Sequence, residues 1–249
     1  MIAVAVLLVF FIYYPLDYKL ISAALILFLS YNVWGVFSIS ANVFVKSLNR
    51  ADTEEKEIAL TFDDGPHPEK TSQILEILGK YNIKAAFFLI GEKAEKNYNI
   101  IRHIDEEDHL LGNHSYSHKV ALTFASSGKV HGDIIKCSKI ITKATGRRAL
   151  FFRPPFGVTN PSIAKAIKKT GYYSAGWSCR SLDTKISEPE KLFLRLKKNL
   201  KPGAVYLFHD YSDSNVYTLD RFIQYAISQG YRFERLDNLF KVSGYDKFN

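Results

Sequence analysis

The run Ile58 to Pro68, IALTFDDGPHP, sets two carboxylates side by side at the end of an apolar stretch of strand length. Adjacent like charges repel, and ionised carboxylates are costly beside a core, so Asp63 and Asp64 need a reason to be there. Further along, HSYSH places His114 and His118 four apart, a spacing that puts both rings on one face of a helical turn. Arg153 follows the apolar run RALFF, Asp183 lies just beyond AGWS, and His209 closes AVYLFH. Carboxylates with imidazoles can hold a divalent metal, and the same residue types can move protons in hydrolysis.

Each feature alone has a plainer reading. An HxxxH pair is more often incidental than a metal site. DDGP suits an acidic turn, because Asp, Gly and Pro all favour turns. The RPPFG segment could be a rigid connector whose Arg makes a surface ion pair worth little. Asp183 and His209 could be an ordinary loop carboxylate and a satisfied histidine. Their shared position at strand ends argues against all of these readings holding at once.

The elements that must position them are legible as alternation. Apolar runs of strand length recur as EIALTF, KAAFFLIG, HLLGNH, RALFF, YYSAGWS and AVYLFH. Helical patterns lie between them: KTSQILEILGKY, NIIRHIDEE, DIIKCSKIITKATG, PSIAKAIKKTG and EKLFLRLKKNL. Gly146, Gly171 and Gly203 are read as helix stops. Repeated strand–helix alternation implies a parallel sheet with helices outside, as an open sheet or a closed (β/α) barrel. In both, sites form at the carboxyl ends of the strands. No glycine-rich phosphate loop follows any strand, which removes the main support for nucleotide binding.

With 249 residues, 47% hydrophobic and 23% charged, the chain is globular and long enough for one large core. The net charge of +8 lies beyond residue 45, since Asp17 and Lys19 cancel within the first 45. Much of it sits on the polar faces of amphipathic helices, and no nucleic-acid signature accompanies it. Cys137 and Cys179 are read as small core residues, with no CxxC spacing to suggest a metal site or redox pair.

The N-terminus is expected to be a membrane anchor over residues 1–45, as one span or a helical hairpin. The first apolar run is about 13 residues, roughly 20 Å of helix and short for a membrane. The uncharged run Leu20 to Val45 can span comfortably, with Tyr13, Tyr14, Tyr18, Tyr31 and Trp34 suited to interfacial belts. A cleaved signal peptide is disfavoured because no positive segment precedes the apolar run. Residues 46–56 are read as a linker and 57–249 as the catalytic domain. Lys46 and Arg50 weigh towards a cytoplasmic domain under the positive-inside rule.

TFDDGP (Thr61 to Pro66), HSYSH preceded by Gly112-Asn113, RPPFG (Arg153 to Gly157), Asp183 and LFH (Leu207 to His209) resemble, in order, five motifs of one family. It is the NodB-homology polysaccharide deacetylases, carbohydrate esterase family 4, and the resemblance runs from about Glu57 through most of the chain. It implies a distorted (β/α) barrel of seven or eight strands and removal of N-acetyl groups from a cell-envelope glycan. An envelope substrate puts the domain outside the cytoplasm, against the weight of Lys46 and Arg50. By resemblance, Asp63 is the general base and Asp64, His114 and His118 hold a divalent metal. Zinc is expected from the mixed N/O ligands, with cobalt, nickel or manganese as alternatives. The resemblance also implies that Arg153 orients Asp63, the backbone N–H of Phe156 serves the oxyanion, and His209, tuned by Asp183, protonates the leaving amine. Leu207 is expected to line the acetyl pocket, with Pro155, Trp177 and Arg180 around the sugar. No protein partner is implied.

Two departures stand out. Thr184 follows the fourth-motif Asp183 where the family commonly has Trp, and Arg180 stands where an Asp is frequent. They suggest a substrate other than the usual chitin-like or peptidoglycan polymers, one that carries negative charge. The alternatives are a hydrolase of O-acetyl esters or non-sugar amides, and a non-catalytic glycan-binding protein.

Overall fold

A computed structural model describes residues 18–246. The first apolar run, Tyr13, Tyr14 and the choice between one span and a hairpin lie outside these residues. The described chain opens with helix α1 (Tyr18–Phe37) and a 3-10 turn (Ile39–Ala41). Strands and helices then alternate: β1 (Ser47–Leu48), β2 (Glu57–Gly65), α2 (Lys70–Lys80), β3 (Ala86–Leu89), α3 (Gly91–Ala94), α4 (Tyr98–Glu106) and β4 (Leu110–Asn113). After a 3-10 turn (Val120–Phe124) come α5 (Ser127–Thr145), β5 (Phe151–Phe152), a 3-10 turn (Pro155–Gly157), α6 (Pro161–Thr170), β6 (Tyr173–Ala175) and β7 (Cys179–Arg180). The chain ends with α7 (Pro189–Lys198), β8 (Val205–His209), α8 (Asp213–Ser228), β9 (Arg232–Phe233) and α9 (Leu236–Phe240).

The sheet runs β1-β6-β5-β4-β3-β2-β8-β7, with β9 on the start of β2, and all these pairings are parallel. It curls into a barrel because β6, near one end of the order, reaches β7, at the other, through Gly176, Trp177 and Ser178 alone. The four Cα–Cα steps from Ala175 to Cys179 span at most about 14 Å, so these two parts of the sheet must come together. An antiparallel bridge from Arg50 to Ala204 and a bond from Ala51 N–H to the Gly203 carbonyl (2.9 Å) help to close the gap. Residues 46–56, expected as a linker, thus supply a strand and the closing contacts.

Strand side chains alternate between two environments. Ile58, Leu60 and Phe62 of β2 pack outward with helix residues such as Ile74, Leu78 and Phe222. Ala59, Ala86, Phe88, Leu110, Phe151, Ala175 and Val205 fill the barrel interior, with Leu236 and Leu239 of α9 in the same cluster. Those strand residues come from six of the nine strands, two of them from β3, as a parallel sheet curled around one core requires. By the same two-residue period, Thr61 and Asp63 follow Ala59 on the inner face, Arg153 follows Phe151, and Leu207 follows Val205. Apolar residues fill the lower barrel and the reactive ones its carboxyl end.

Gly146 (φ +74°) and Gly171 (φ +71°) cap α5 and α6 as expected. Gly203 does not cap a helix. α7 is capped by Asn199, and Gly203 (φ +72°) lies in the turn before β8, where a Cβ would meet the Ala51 carbonyl oxygen at 2.1 Å. Both buried cysteines are free, in the core as expected. Gly203→Ala should cost about 2–4 kcal/mol, from left-handed strain plus that clash. Equilibrium urea unfolding checks it, and an unchanged midpoint would show that the closing turn can relax.

Candidate active site

Three backbone devices deliver the reactive side chains. The first separates the two aspartates. The β2–β3 register slips between Asp63, opposite Phe88, and Gly65, opposite Leu89, and Asp64 has φ +69°. A bulge with a left-handed residue re-aims one side chain relative to its neighbour. Asp63 therefore keeps its inward position while Asp64 turns toward the histidines. Lys93 Nζ donates to the Asp64 carbonyl at 2.7 Å and pins the turn.

The second device shapes the loop after β4. Its histidines do not lie on a helical turn, because Ser115 (φ +67°) and His118 (φ +47°) are left-handed. Side chains tie the loop instead: Asn113 Oδ1 accepts from Ser115 N–H, Asp133 Oδ1 from Tyr116 N–H, and Ser115 Oγ from His118 N–H. The third is the turn after β5, where Phe156 has φ +61°. Its ring packs 4.6 Å from that of His118.

These devices gather Asp64, His114 and His118 so that one ligand atom from each lies within 4.8 Å of the others. Asp64 Oδ1 stands 3.4 Å from His114 Nε2 and 3.3 Å from His118 Nε2, and is buried without a hydrogen-bond partner. His114 Nδ1 faces the Arg153 carbonyl at 2.8 Å, which fixes the ring and aims Nε2 inward. Burial pushes the His114 pKa down, but the Asp63 and Asp64 carboxylates outweigh it and raise it overall. Burial and the His114 charge lower His118 to about 4, leaving a neutral ring with a free lone pair at neutral pH. Burial would raise Asp64, yet His114, His118 and His209 hold it well below the usual carboxylate range. An orphaned buried carboxylate oxygen, facing two imidazole nitrogens across a space that favours positive charge, fits a divalent cation.

Asp63 is held differently. Arg153 Nη1 donates to Asp63 Oδ1 (2.7 Å) and Thr61 Oγ1 (2.8 Å), Nη2 to the Gly176 carbonyl (2.7 Å), and Nε to the Ala175 carbonyl (3.3 Å). The guanidinium is wholly buried, 4.1 Å from the Phe88 ring. Asp63 Oδ2 remains on the cleft side, 3.7 Å from His114 Nε2.

On the neighbouring strand β8, in register with Asp63, His209 Nδ1 meets Asp183 Oδ1 at 2.8 Å. Asp183 is buried and accepts from His209 N–H, Asn215 Nδ2 and Ser181 Oγ. Burial lowers the His209 pKa, but the Asp183 hydrogen bond and charge, with Asp63 and Asp64, raise it overall. The imidazole therefore tends to hold its proton.

These groups line one cleft of about 170 Å3, with Phe156, Gly157, Trp177, Arg180, Thr184, Leu207 and Tyr211. Arg153 and Asp183 stand behind its walls. Pro155 does not line it and faces a separate apolar space beside Leu122 and Val130, because the left-handed Phe156 reverses the chain between them. Sequence reasoning passed over Tyr211, Asn215 and Asp210. Asp210 is buried against Gly65, accepts from Thr71 Oγ1 at 2.6 Å, and is pushed up to about 7 by burial. Its position directly after His209 was the available signal.

A family model described as polysaccharide deacetylase matches residues 50–175. A peptidoglycan-N-acetylglucosamine deacetylase of Bacillus cereus is 36% identical over 191 residues, covering 75% of this chain and 69% of that protein. The peptidoglycan-N-acetylmuramic acid deacetylase PdaA of Bacillus subtilis is 32% identical over 192 residues, covering 76% and 73%. A solved peptidoglycan N-acetylglucosamine deacetylase superposes with a TM-score of 0.76 at 34% identity, over 80% of this chain and 94% of that one. With similarity of this extent carried by the sequence and by the same barrel, the chain belongs to the polysaccharide deacetylase family.

Proposed function

We propose that the chain hydrolyses N-acetyl groups from amino sugars of a cell-envelope glycan of the peptidoglycan class. The observation that carries this reading is the division of labour across the cleft. A carboxylate pinned by a buried arginine faces a metal-type triad, and a carboxylate-tuned histidine stands beside it on the next strand. Asp63 takes the proton of the attacking water. Arg153 holds one of its oxygens, so the other is oriented toward the cleft. Phe156 N–H steadies the oxyanion as the carbonyl becomes tetrahedral. His209 passes a proton to the departing amine, and Leu207 bounds the acetyl methyl. Asp64, His114 and His118 would hold the divalent cation on which the family depends, zinc being the choice for this N/O set. Bound there, it would supply Lewis acidity to the acetyl carbonyl and the water. α1 is the proposed membrane anchor, and an envelope substrate places the domain outside the cytoplasm.

The peptidoglycan deacetylases among the relatives weigh against the expectation of a polymer outside that class, and Arg180 refines the substrate within it. Arg180 follows the outward Cys179 on β7, lines the cleft, and is exposed, and its guanidinium has no partner among the described residues. Thr184 opens the same wall. An unpaired cation there suits a carboxylate on the sugar, such as the lactyl group of N-acetylmuramic acid.

Acetate release by the full chain in detergent, stripped of metal and reloaded with zinc, tests the reading. Release should require metal and occur with N-acetylated peptidoglycan fragments; release from O-acetyl esters alone would overturn it. In the same assay, Arg180→Ala should slow muramic-acid substrates about tenfold, as for loss of a charge-assisted hydrogen bond, and leave neutral N-acetylglucosamine oligomers unchanged. Equal rates on both substrates would remove the charge argument.

The proton on His209 gives a pH test. Its raised pKa means that activity falls on the alkaline side as the ring loses its proton. Asp183→Asn removes the charge that raises it, so that limb of the kcat profile should move to lower pH. An unmoved limb with normal metal content would assign the leaving-group proton elsewhere.

A further inference from the structure

We propose that the rim of the cleft built by residues 117–125 and 153–160 docks on the lipid headgroup surface, so that the active site works on glycan close to the bilayer. This rests on reading α1 as a membrane span. The apolar helix from Lys19 to Phe37 is 19 residues, about 28 Å, which matches a hydrocarbon layer, and nearly all of it is exposed.

The carboxyl end of α1 is fixed to the catalytic domain. Thr159 donates from its backbone N–H to the Val36 carbonyl (3.0 Å) and from Oγ1 to the Gly35 carbonyl (3.1 Å). Val36 and Val45 pack in one cluster with Val130 and Ile163. The absence of a side chain at Gly35 lets Val43 fold back against the helix, since a Cβ there would meet Val43 at 2.8 Å.

The next residue along holds the neighbouring loop. Asn160 Nδ2 donates to the Thr123 carbonyl at 2.7 Å. That 3-10 turn buries Thr123 and packs Leu122 into the same cluster, while Val120 and Phe124 point outward, 61% and 86% exposed. Leaving both in water forgoes the favourable transfer of apolar surface that burial would supply. The helix end and this apolar turn are therefore secured side by side through Thr159 and Asn160.

Both loops are also walls of the cleft. His118 precedes Val120 by two residues, and Gly157 precedes Thr159 by two, so each lies within about 7 Å of chain from the membrane-side feature. Tyr31 and Trp34 are exposed near the same helix end, as interfacial aromatics require. Exposed Lys46, Lys119 and Lys129 flank these segments and suit anionic headgroups. A bilayer that contains α1 is continuous with Val120 and Phe124, and it is the partner whose chemistry fits them.

The test uses the full chain in nanodiscs of phosphatidylethanolamine and phosphatidylglycerol, carrying single environment-sensitive labels. Native Cys137 and Cys179 are buried, with thiols raised by burial, so an introduced cysteine labels selectively. Labels are placed by Leu27→Cys on α1, Phe124→Cys on the rim and Tyr217→Cys on the exposed face of α8. Nitroxide lipids at mid-chain depth should quench position 27, and headgroup-depth nitroxides should quench position 124 several-fold more than 217. If 27 is quenched but 124 matches 217, the docked rim is wrong and the span stands. If 27 is not quenched, the span reading fails and the docked rim falls with it.

Discussion

The buried pair of Arg153 and Asp63 is the constraint around which the site is arranged. Ion pairs this deep do not stabilise a fold cheaply, because desolvation offsets most of the attraction. That cost is offset by dense hydrogen bonding: four of the five guanidinium N–H groups find acceptors, among them Thr61 Oγ1, which itself donates to the Tyr206 carbonyl at 2.7 Å. Two of the others are the carbonyls of Ala175 and Gly176, at the point where β6 leaves the sheet to reach β7. Barrel closure and the orientation of the proposed base thus depend on the same side chain. Removing either partner would leave an uncompensated buried charge, a loss of roughly 3–5 kcal/mol.

Around this pair, the reactive end of the barrel is built from backbone that helices and strands do not use. Asp64, Ser115, His118, Phe156 and Leu182 all have positive φ. Asp64 lies at the end of β2 and the other four follow strands, and each redirects the chain where a functional side chain must leave the pleat. The strands supply rigidity and the left-handed residues supply aim. Local strain of this kind persists only when surroundings over-determine it, and the Asn113, Asp133 and Lys93 bonds do so here.

Much of this was legible in the chain because barrel strands have a period of two. Once Ala59 is inward, Asp63 must be inward too, and the same parity places Arg153, Leu207 and Arg180 without reference to coordinates. The strand runs and the main helices up to α7 follow from apolar spacing. Less legible were elements whose partners are distant. Ser47–Leu48 is a two-residue strand recognisable only through its pairing with Ser174 and Ala175, so residues 46–56 read as a linker. The HxxxH spacing suggested a helical turn because spacing carries no information about φ. Asn215 was invisible as a partner of Asp183 because α8 was not among the helices read from the sequence.

The central claim is that two adjacent aspartates do different work, one for the metal and one for the proton. Zinc content and affinity measured beside acetate release, for Asp63→Asn and Asp64→Asn in the full chain, test it most directly. Asp64→Asn should lose both zinc and turnover. Asp63→Asn should keep stoichiometric zinc while its kcat falls roughly 10²–10⁴-fold, the range for loss of a general base. Loss of zinc in Asp63→Asn with retention in Asp64→Asn, or full turnover in Asp63→Asn, would contradict it.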